Sequence, residues 1–272
     1  MKKNIPFTKM SGAGNDFVVI DNRRGMVSSA AKLARMLCDR RWGVGADGLL
    51  LLEKSRKAAY RMMYYNADGS HGGMCGNGGR CIARYAVGIG IASKDHTFEA
   101  LGHIYRATTR SKQIRLRMKD PKALRDGLVV RIGGRTWRMS GIDTGAPHAV
   151  ILLDQSMSLD KVDVVNIGRK IRNHGAFSPR GTNVNFVERV ARGRIRMRTY
   201  ERGVEAETLA CGTGSIASAI VASRRWKLRS PVEIQTSAGK ILTVSFHAKG
   251  GKYSDVELQG PAIVTFEGNI DV

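Results

Sequence analysis

Along the 272-residue chain, apolar positions alternate with polar ones in short runs far more often than they recur at helical spacing. Residues 7–10 and 17–20 flank the turn Ser11-Gly12-Ala13-Gly14-Asn15-Asp16, the pattern of two strands joined by a tight connection. A helix is predicted from a cap at Ser28 or Ser29 through Arg41, with Ala30, Leu33, Ala34, Leu37 and Cys38 on one face. Gly43-Val44-Gly45-Ala46-Asp47-Gly48 breaks it, and the apolar run 49–52 reads as a buried strand. Strands follow at 60–65, 97–99, 104–109, 114–119, 128–132, 136–140 and 149–153. A helix is predicted near 162–173, then strands near 184–189 and 194–200. Four more strands, at 232–236, 240–246, 253–259 and 263–266, complete the pattern.

Two places interrupt the alternation in the same way. Met74-Cys75-Gly76-Asn77-Gly78-Gly79-Arg80-Cys81 has a near copy in Ala210-Cys211-Gly212-Thr213-Gly214-Ser215. Each Cys-Gly-x-Gly turn runs into a helical pattern, carried by Ile82, Ala83, Tyr85, Ala86 and Ile89 after the first and by Ile216, Ala217, Ala219, Ile220 and Val221 after the second. One such helix per half, among many short strands, predicts an α+β fold of two similar lobes. Proline ends a ladder at Asp120-Pro121-Lys122, so the lobes are expected at 1–120 and 121–260, with 261–272 returning to the first.

Composition narrows the chemistry. Four cysteines without a Cys-x-x-Cys pair or Cys/His ligand spacing give neither a metal site nor a disulfide scaffold, and point to a reducing, cytoplasmic setting. No apolar stretch approaches a membrane span, so no membrane partner is expected. The net charge of +22 raises nucleic acid as a partner. The arginines are dispersed, however: Arg115 and Arg117 alternate with Ile114, Leu116 and Met118, and Arg194, Arg196 and Arg198 with Ile195 and Met197. That is the pattern of strands with a wet outer face, and no nucleic-acid-binding motif accompanies it.

A thiol at a helix N-terminus sits among unpaired N–H groups that favour its thiolate and also bind a carboxylate. Cys38 and Cys81 fall instead on apolar helix faces and read as buried packing groups. If Cys75 and Cys211 approach one ligand from opposite sides, a thiolate removes a proton from carbon on one face while a thiol delivers one on the other. The turn N–H groups, aimed at an α-carboxylate, stabilise the carbanion-like state, so no cofactor is required. His148 and Glu201, beside turns at strand ends, are the candidates to assist the thiols, one for each. Either has an ordinary alternative, as a structural imidazole or as half of a solvated Glu201–Arg202 pair. Arg202 offers a planar fork for a second carboxylate, and Asn15, after its glycine-rich turn, an amide for a bound amino acid.

Lys9-Met10-Ser11-Gly12-Ala13-Gly14-Asn15-Asp16-Phe17, Asn66-Ala67-Asp68-Gly69-Ser70, both cysteine turns and Tyr200-Glu201-Arg202-Gly203 together resemble the diaminopimelate epimerase family, in family order and over nearly the whole chain. The resemblance implies a cofactor-independent epimerase that interconverts LL- and meso-2,6-diaminopimelate for lysine and peptidoglycan precursors. It implies two pseudo-symmetric lobes, each a curved, mostly antiparallel sheet around a central helix, and a homodimer. By the same resemblance Cys75 and Cys211 are the acid/base thiols, assisted by His148 and Glu201. Asn15, Asn66 and Asn183 contact substrate, together with Glu201 and Arg202, the latter at the distal carboxylate. Gly76, Asn77, Gly212 and Thr213 cradle the reacting carboxylate, and Phe266 stands at a dimer contact.

Two positions depart from the family pattern. Ala146 replaces an asparagine found before Pro-His in many members, and Gly48 replaces a glutamine found in some. Each lost hydrogen bond to a charged group weakens binding by roughly 1.5 to 3 kcal/mol unless another group replaces it. A two-thiol racemase of histidine or proline type is therefore the alternative in chemistry, and a non-catalytic basic binding protein the alternative in class.

Overall fold

A computed structural model describes residues 4–271. In chain order the first elements are β1 (Asn4–Gly12), β2 (Asn15–Asp21), α1 (Ala30–Cys38), β3 (Gly48–Glu53), β4 (Arg61–Asn66), α2 (Gly76–Gly88), β5 (Asp95–Ala100), β6 (His103–Arg110) and β7 (Gln113–Arg117). There follow β8 (Lys122–Ile132), β9 (Arg135–Asp143), β10 (Pro147–Leu152), α3 (Val164–Arg172), β11 (Asn183–Ala191), β12 (Arg194–Glu201) and β13 (Ala206–Thr208). The remainder is α4 (Gly212–Trp226), β14 (Val232–Gln235), β15 (Ile241–Lys249), β16 (Lys252–Pro261) and β17 (Ile263–Asp271). The chain divides into two compact units, one running to Arg117 and resuming at Gln259, the other spanning Met118–Leu258. Among the described residues no helix is long and apolar enough to cross a membrane.

In the first unit β1 lies between β2 and β17, antiparallel to both. The sheet continues through β3, parallel to β2, then β4, β5, β6 and β7. It curls around α2, which packs against β1, β2, β3, β4, β6 and β7. Helix α1 covers the outer surface, where Leu33, Ala34, Leu37 and Cys38 meet Val18, Ile20, Leu49 and Leu51. With a helix on each side, β3 has no wet face, which is why Leu49, Leu50, Leu51 and Leu52 form an unbroken apolar run.

The second unit repeats the plan. Strands β8, β9 and β10 run antiparallel in series, β11 joins β10 in parallel, and β12 pairs with β11, β13 and β14. Helix α4 packs against β9, β10, β11, β12, β14 and β15. It is buried nearly all round, through Ile216, Ala217, Ser218, Ala219, Ile220, Val221 and Ala222, and ends where Lys227 turns left-handed at φ 55°. Helix α3 covers the opposite face over Val184, Phe186, Tyr200, Ala149 and Ile151. Each unit is thus a curved sheet around a central helix, the α+β architecture expected.

Two local expectations change. Helix α1 ends at Cys38 rather than Arg41, because the Asp39 carboxylate accepts the backbone N–H groups of Arg41 and Trp42 at 2.7 and 2.8 Å. Its N-cap is Ser29, whose side chain makes no capping bond. Strand β8 starts at Lys122, six residues before the predicted 128–132; register shifts between Lys122 and Arg125 and between Arg125 and Leu128 hide the alternation.

Candidate active site

Both Cys-Gly-x-Gly turns cap their helices as anticipated. Cys75 is the N-cap of α2, with its sulfur accepting the Gly78 N–H at 3.5 Å. Cys211 is the N-cap of α4, with its sulfur accepting the Gly214 N–H at 3.4 Å. Cys38, the last residue of α1, and Cys81, inside α2, are both buried, and burial pushes both thiols up to about 12. Their role is packing.

In the first unit, Asn15 lies against the α2 turn. Its Oδ1 accepts from the Cys75 thiol at 3.8 Å and from Asn77 Nδ2 at 3.4 Å, while its Nδ2 donates to Asp47 Oδ2 at 2.5 Å. Asp47 and Asp16 share Arg40, and Asp16 also pairs with Lys9 at 2.8 Å. Burial works against the Asp16 charge, but hydrogen bonds and charge from Arg40 and Lys9 prevail and hold its carboxyl at about 2. Asn77 is oriented from below: the fully buried Arg80 donates to its Oδ1 at 2.8 Å and to the carbonyls of Gly76, Gly12 and Pro261. Burial pulls Arg80 down to about 10, so it stays charged at neutral pH beneath the turn. Gly12 permits this approach, since a Cβ there would sit 2.7 Å from the Asn77 carbonyl oxygen. Asn66 ends β4 opposite Gly48 and gives its amide to Ser70 Oγ at 2.9 Å.

In the second unit, strand alternation builds the site. Val184, Phe186, Tyr200, Ala149 and Ile151 face α3, so their neighbours Asn183, Asn185, Thr199, Glu201 and His148 point the other way, towards the face that holds α4. Register aligns His148 with Asn183 and Asn185 with Thr199. His148 Nε2 lies 2.9 Å from Thr213 Oγ1, which lies 3.6 Å from Cys211 Sγ. Thr144 donates to the Thr213 carbonyl at 2.9 Å and steadies the turn. Burial, reinforced by the charge of Arg202, pulls His148 down to about 3 against the opposing bond from Asn185, so the imidazole is neutral. Glu201 accepts from Thr208 at 2.9 Å and hydrogen-bonds with Cys211; burial nonetheless raises its carboxyl above the usual carboxylate value.

The two candidate assisting groups, assigned one to each cysteine on sequence grounds, both lie with Cys211 within this unit, Glu201 directly and His148 through Thr213. Asn183 donates to the Pro147 carbonyl at 3.1 Å and accepts the Arg202 backbone N–H at 2.8 Å. The Arg202 guanidinium bonds to the Arg180 carbonyl, and among the described residues no carboxylate pairs with it. Ala146 keeps only backbone to offer, its carbonyl accepting from the Thr144 N–H. Gly48 has no room for a side chain, because a Cβ there would meet the Tyr64 ring at 2.5 Å and the Tyr65 carbonyl at 2.6 Å. Phe266 lies in β17, half exposed, beside the likewise exposed Ile263 and Val264.

Sequence reasoning missed Asn185, Thr199, Thr208, Asp47 and the structural part of Arg80. The one signal available was Asn183-Val184-Asn185-Phe186, in which polar residues alternate with apolar ones inside an otherwise buried strand. Among the described residues, no group of three or more His, Cys, Asp or Glu is placed to hold a metal ion.

Residues 7–122 and 141–264 match the family model described as diaminopimelate epimerase. The chain is 44% identical over 265 residues to a diaminopimelate epimerase of Chlorobaculum tepidum, covering 96% of this chain and 99% of that one. It is 41% identical to another from a Hydrogenobaculum species, covering 96% of each. In fold it is similar to a hydroxyproline epimerase from Agrobacterium vitis, with a TM-score of 0.76 at 13% identity over 100% of this chain and 94% of that one. A Bacillus anthracis protein of the PhzF family gives 0.75 at 14% identity over 99% and 100%. With the sequence match running nearly end to end and through both cysteine turns, the chain belongs to the diaminopimelate epimerase family.

Proposed function

We propose that this protein interconverts LL- and meso-2,6-diaminopimelate by a two-base mechanism that needs no cofactor. The observation that carries the reading is the pair of cysteine-capped central helices, one per unit, each sulfur receiving an N–H from its own turn. In the proposal the two sulfurs flank one α-carbon. One, as thiolate, takes the α-proton; the other, as thiol, returns a proton to the opposite face and inverts the centre. The N–H groups of Gly76, Asn77, Gly212 and Thr213 hold the reacting carboxylate and stabilise the charge that develops beside it. Glu201 is the acceptor for the Cys211 proton, its carboxyl raised by burial towards the working range of a base. His148 assists as a neutral polar group.

Asn15, Asn66 and Asn183 bind the amino-acid ends, and Arg202, which pairs with no carboxylate among the described residues, receives the distal one in bidentate fashion. The product serves lysine and peptidoglycan precursor synthesis in the cytoplasm. The exposed apolar side chains of β17, Phe266 among them, are proposed as the contact in a homodimer.

The test is exchange of substrate α-protons in deuterated buffer. Diaminopimelate is expected to take up deuterium at one centre, while histidine, proline and glutamate stay unlabelled; uptake by one of those three instead moves the assignment. Cys75→Ser and Cys211→Ser should each keep the native circular dichroism and lose turnover, and a fully active variant of either refutes the two-base scheme.

A further inference from the structure

Asn185 is fully buried between Val184 and Phe186 on β11, and its amide makes three contacts that settle which end is nitrogen. Oδ1 accepts from Thr199 Oγ1 at 3.0 Å, and Nδ2 lies 3.4 Å from the carbonyl oxygen of Ala149, an atom that can only accept. The reverse orientation would set two oxygens against each other. The same Nδ2 lies 3.0 Å from His148 Nδ1, so that ring nitrogen is the bare one and accepts. In a neutral imidazole the single proton is then on Nε2, 2.9 Å from Thr213 Oγ1. With its oxygen accepting from the ring, the Thr213 hydroxyl has its own hydrogen to direct at Cys211 Sγ, 3.6 Å away.

We propose that Asn185 is a positioning residue that locks His148 as the Nε2–H tautomer, making it a one-way hydrogen-bond donor that steadies the Cys211 thiolate through the Thr213 hydroxyl. No proton travels along this arm. When Cys211 is deprotonated its proton goes to Glu201, and the sulfur left behind keeps the Gly214 N–H and takes the Thr213 O–H as donors. Glu201 and His148 therefore do different work: one takes the proton, the other supports the anion. Burial keeps the ring uncharged, with its value down at about 3, so the donor direction holds across the neutral range.

The kinetic part of this proposal rests on the epimerase reading; the tautomer does not. Nitrogen-15 NMR of histidine-labelled wild-type protein is expected to show His148 with Nδ1 unprotonated and Nε2 protonated, and a protonated Nδ1 overturns the proposal whatever the variants do. Asn185→Asp keeps the shape but removes the N–H, so His148 should move its proton to Nδ1 and turn Nε2 into an acceptor. The Thr213 hydroxyl would then point at the ring instead of the sulfur. An imidazole held in the wrong tautomer costs up to about 10⁴ in kcat where it is itself the base; acting one group removed, it should cost roughly 10²-fold, with KM within about threefold. Thr213→Val should lose a similar factor, and the double variant no more than either alone. Wild-type kcat in N185D, or losses that multiply in the double variant, refute the arm as a unit. A wild-type protein with the expected tautomer that leaves diaminopimelate unlabelled refutes the substrate reading instead.

Discussion

Gly214→Ala pits helix propensity against the site. Gly214 lies in the first turn of α4 with ordinary helical φ, where alanine would normally stabilise by about 0.8–1 kcal/mol. Here the added Cβ would sit 2.5 Å from Asn185 Oδ1 and 3.2 Å from Cys211 Sγ. Asn185 cannot swing aside, because its amide is tied to Thr199, His148 and Ala149 in a fully buried setting. Relief to ordinary contact requires a shift of about 1 Å, and overpacking of that kind costs about 1–3 kcal/mol. A broken buried hydrogen bond adds about 1 kcal/mol or more. Against the gain in propensity, the net is a loss of about 1–3 kcal/mol, or a melting temperature lower by roughly 2–5 °C. Because the displaced groups orient the Cys211 arm, proton exchange should also fall by roughly 10²-fold. Gly88→Ala is the control: it is helical and exposed at the end of α2, its added Cβ meets nothing within 4 Å, and it should melt at or slightly above wild type with full activity. Thermal melts by circular dichroism and the deuterium-exchange assay read both variants. If Gly214→Ala melts no lower than Gly88→Ala and exchanges at the wild-type rate, the packing argument fails.

Other outcomes follow from the charges and the edge strand. Asp16 has a folded value of about 2, below the ordinary 3.8, so its ion pairs stabilise above about pH 4 and that contribution is lost as pH falls towards 2. Asp16→Asn should cost about 1–2 kcal/mol at pH 7, allowing for screening at the half-exposed Arg40, and urea midpoints of variant and wild type should converge as the pH falls to that value. Glu201 is shifted the other way: its folded value is raised by burial, so its charge is a liability above that value and none below the ordinary 4.5. Glu201→Gln should therefore melt at or above wild type at pH 7, lose that advantage in acid, and turn over roughly 10²–10⁴-fold more slowly. As the test of the proposed homodimer, Phe266→Asp should shift sedimentation towards the monomer while leaving the secondary structure unchanged.

The parts of the site readable in the sequence are those where local chemistry and local structure coincide. A cysteine followed by Gly-x-Gly and then small apolar residues is both the cap and the reactive group, so the N-termini of α2 and α4 could be placed without coordinates. The run 49–52 was legible because a strand covered on both sides carries no polar residue. Asn185 was not, because a buried asparagine becomes intelligible only when register sets it beside His148 and Thr199. Asp47 is joined to Asn15 across 32 positions, a relation that no local pattern encodes. Asp39 reads as one more polar helix residue until its carboxylate is seen to capture two N–H groups and stop α1. In β8, the register shifts erase the two-residue period on which strand recognition depends.

Strand β1 lies inside the first sheet because β17 completes it, and the partners Thr8 and Glu267 stand 259 positions apart. A ribosome adding about 5–20 residues per second takes roughly 13–50 s to cover that interval. For all that time the nascent β1 presents an open ladder of donors and acceptors, the kind of edge that recruits strangers. The unit spanning Met118–Leu258 emerges whole in the meantime. Stalled chains ending before residue 263 should accordingly be cut by protease in their leading portion and spared in the inserted one, and chaperone dependence should concentrate in that window.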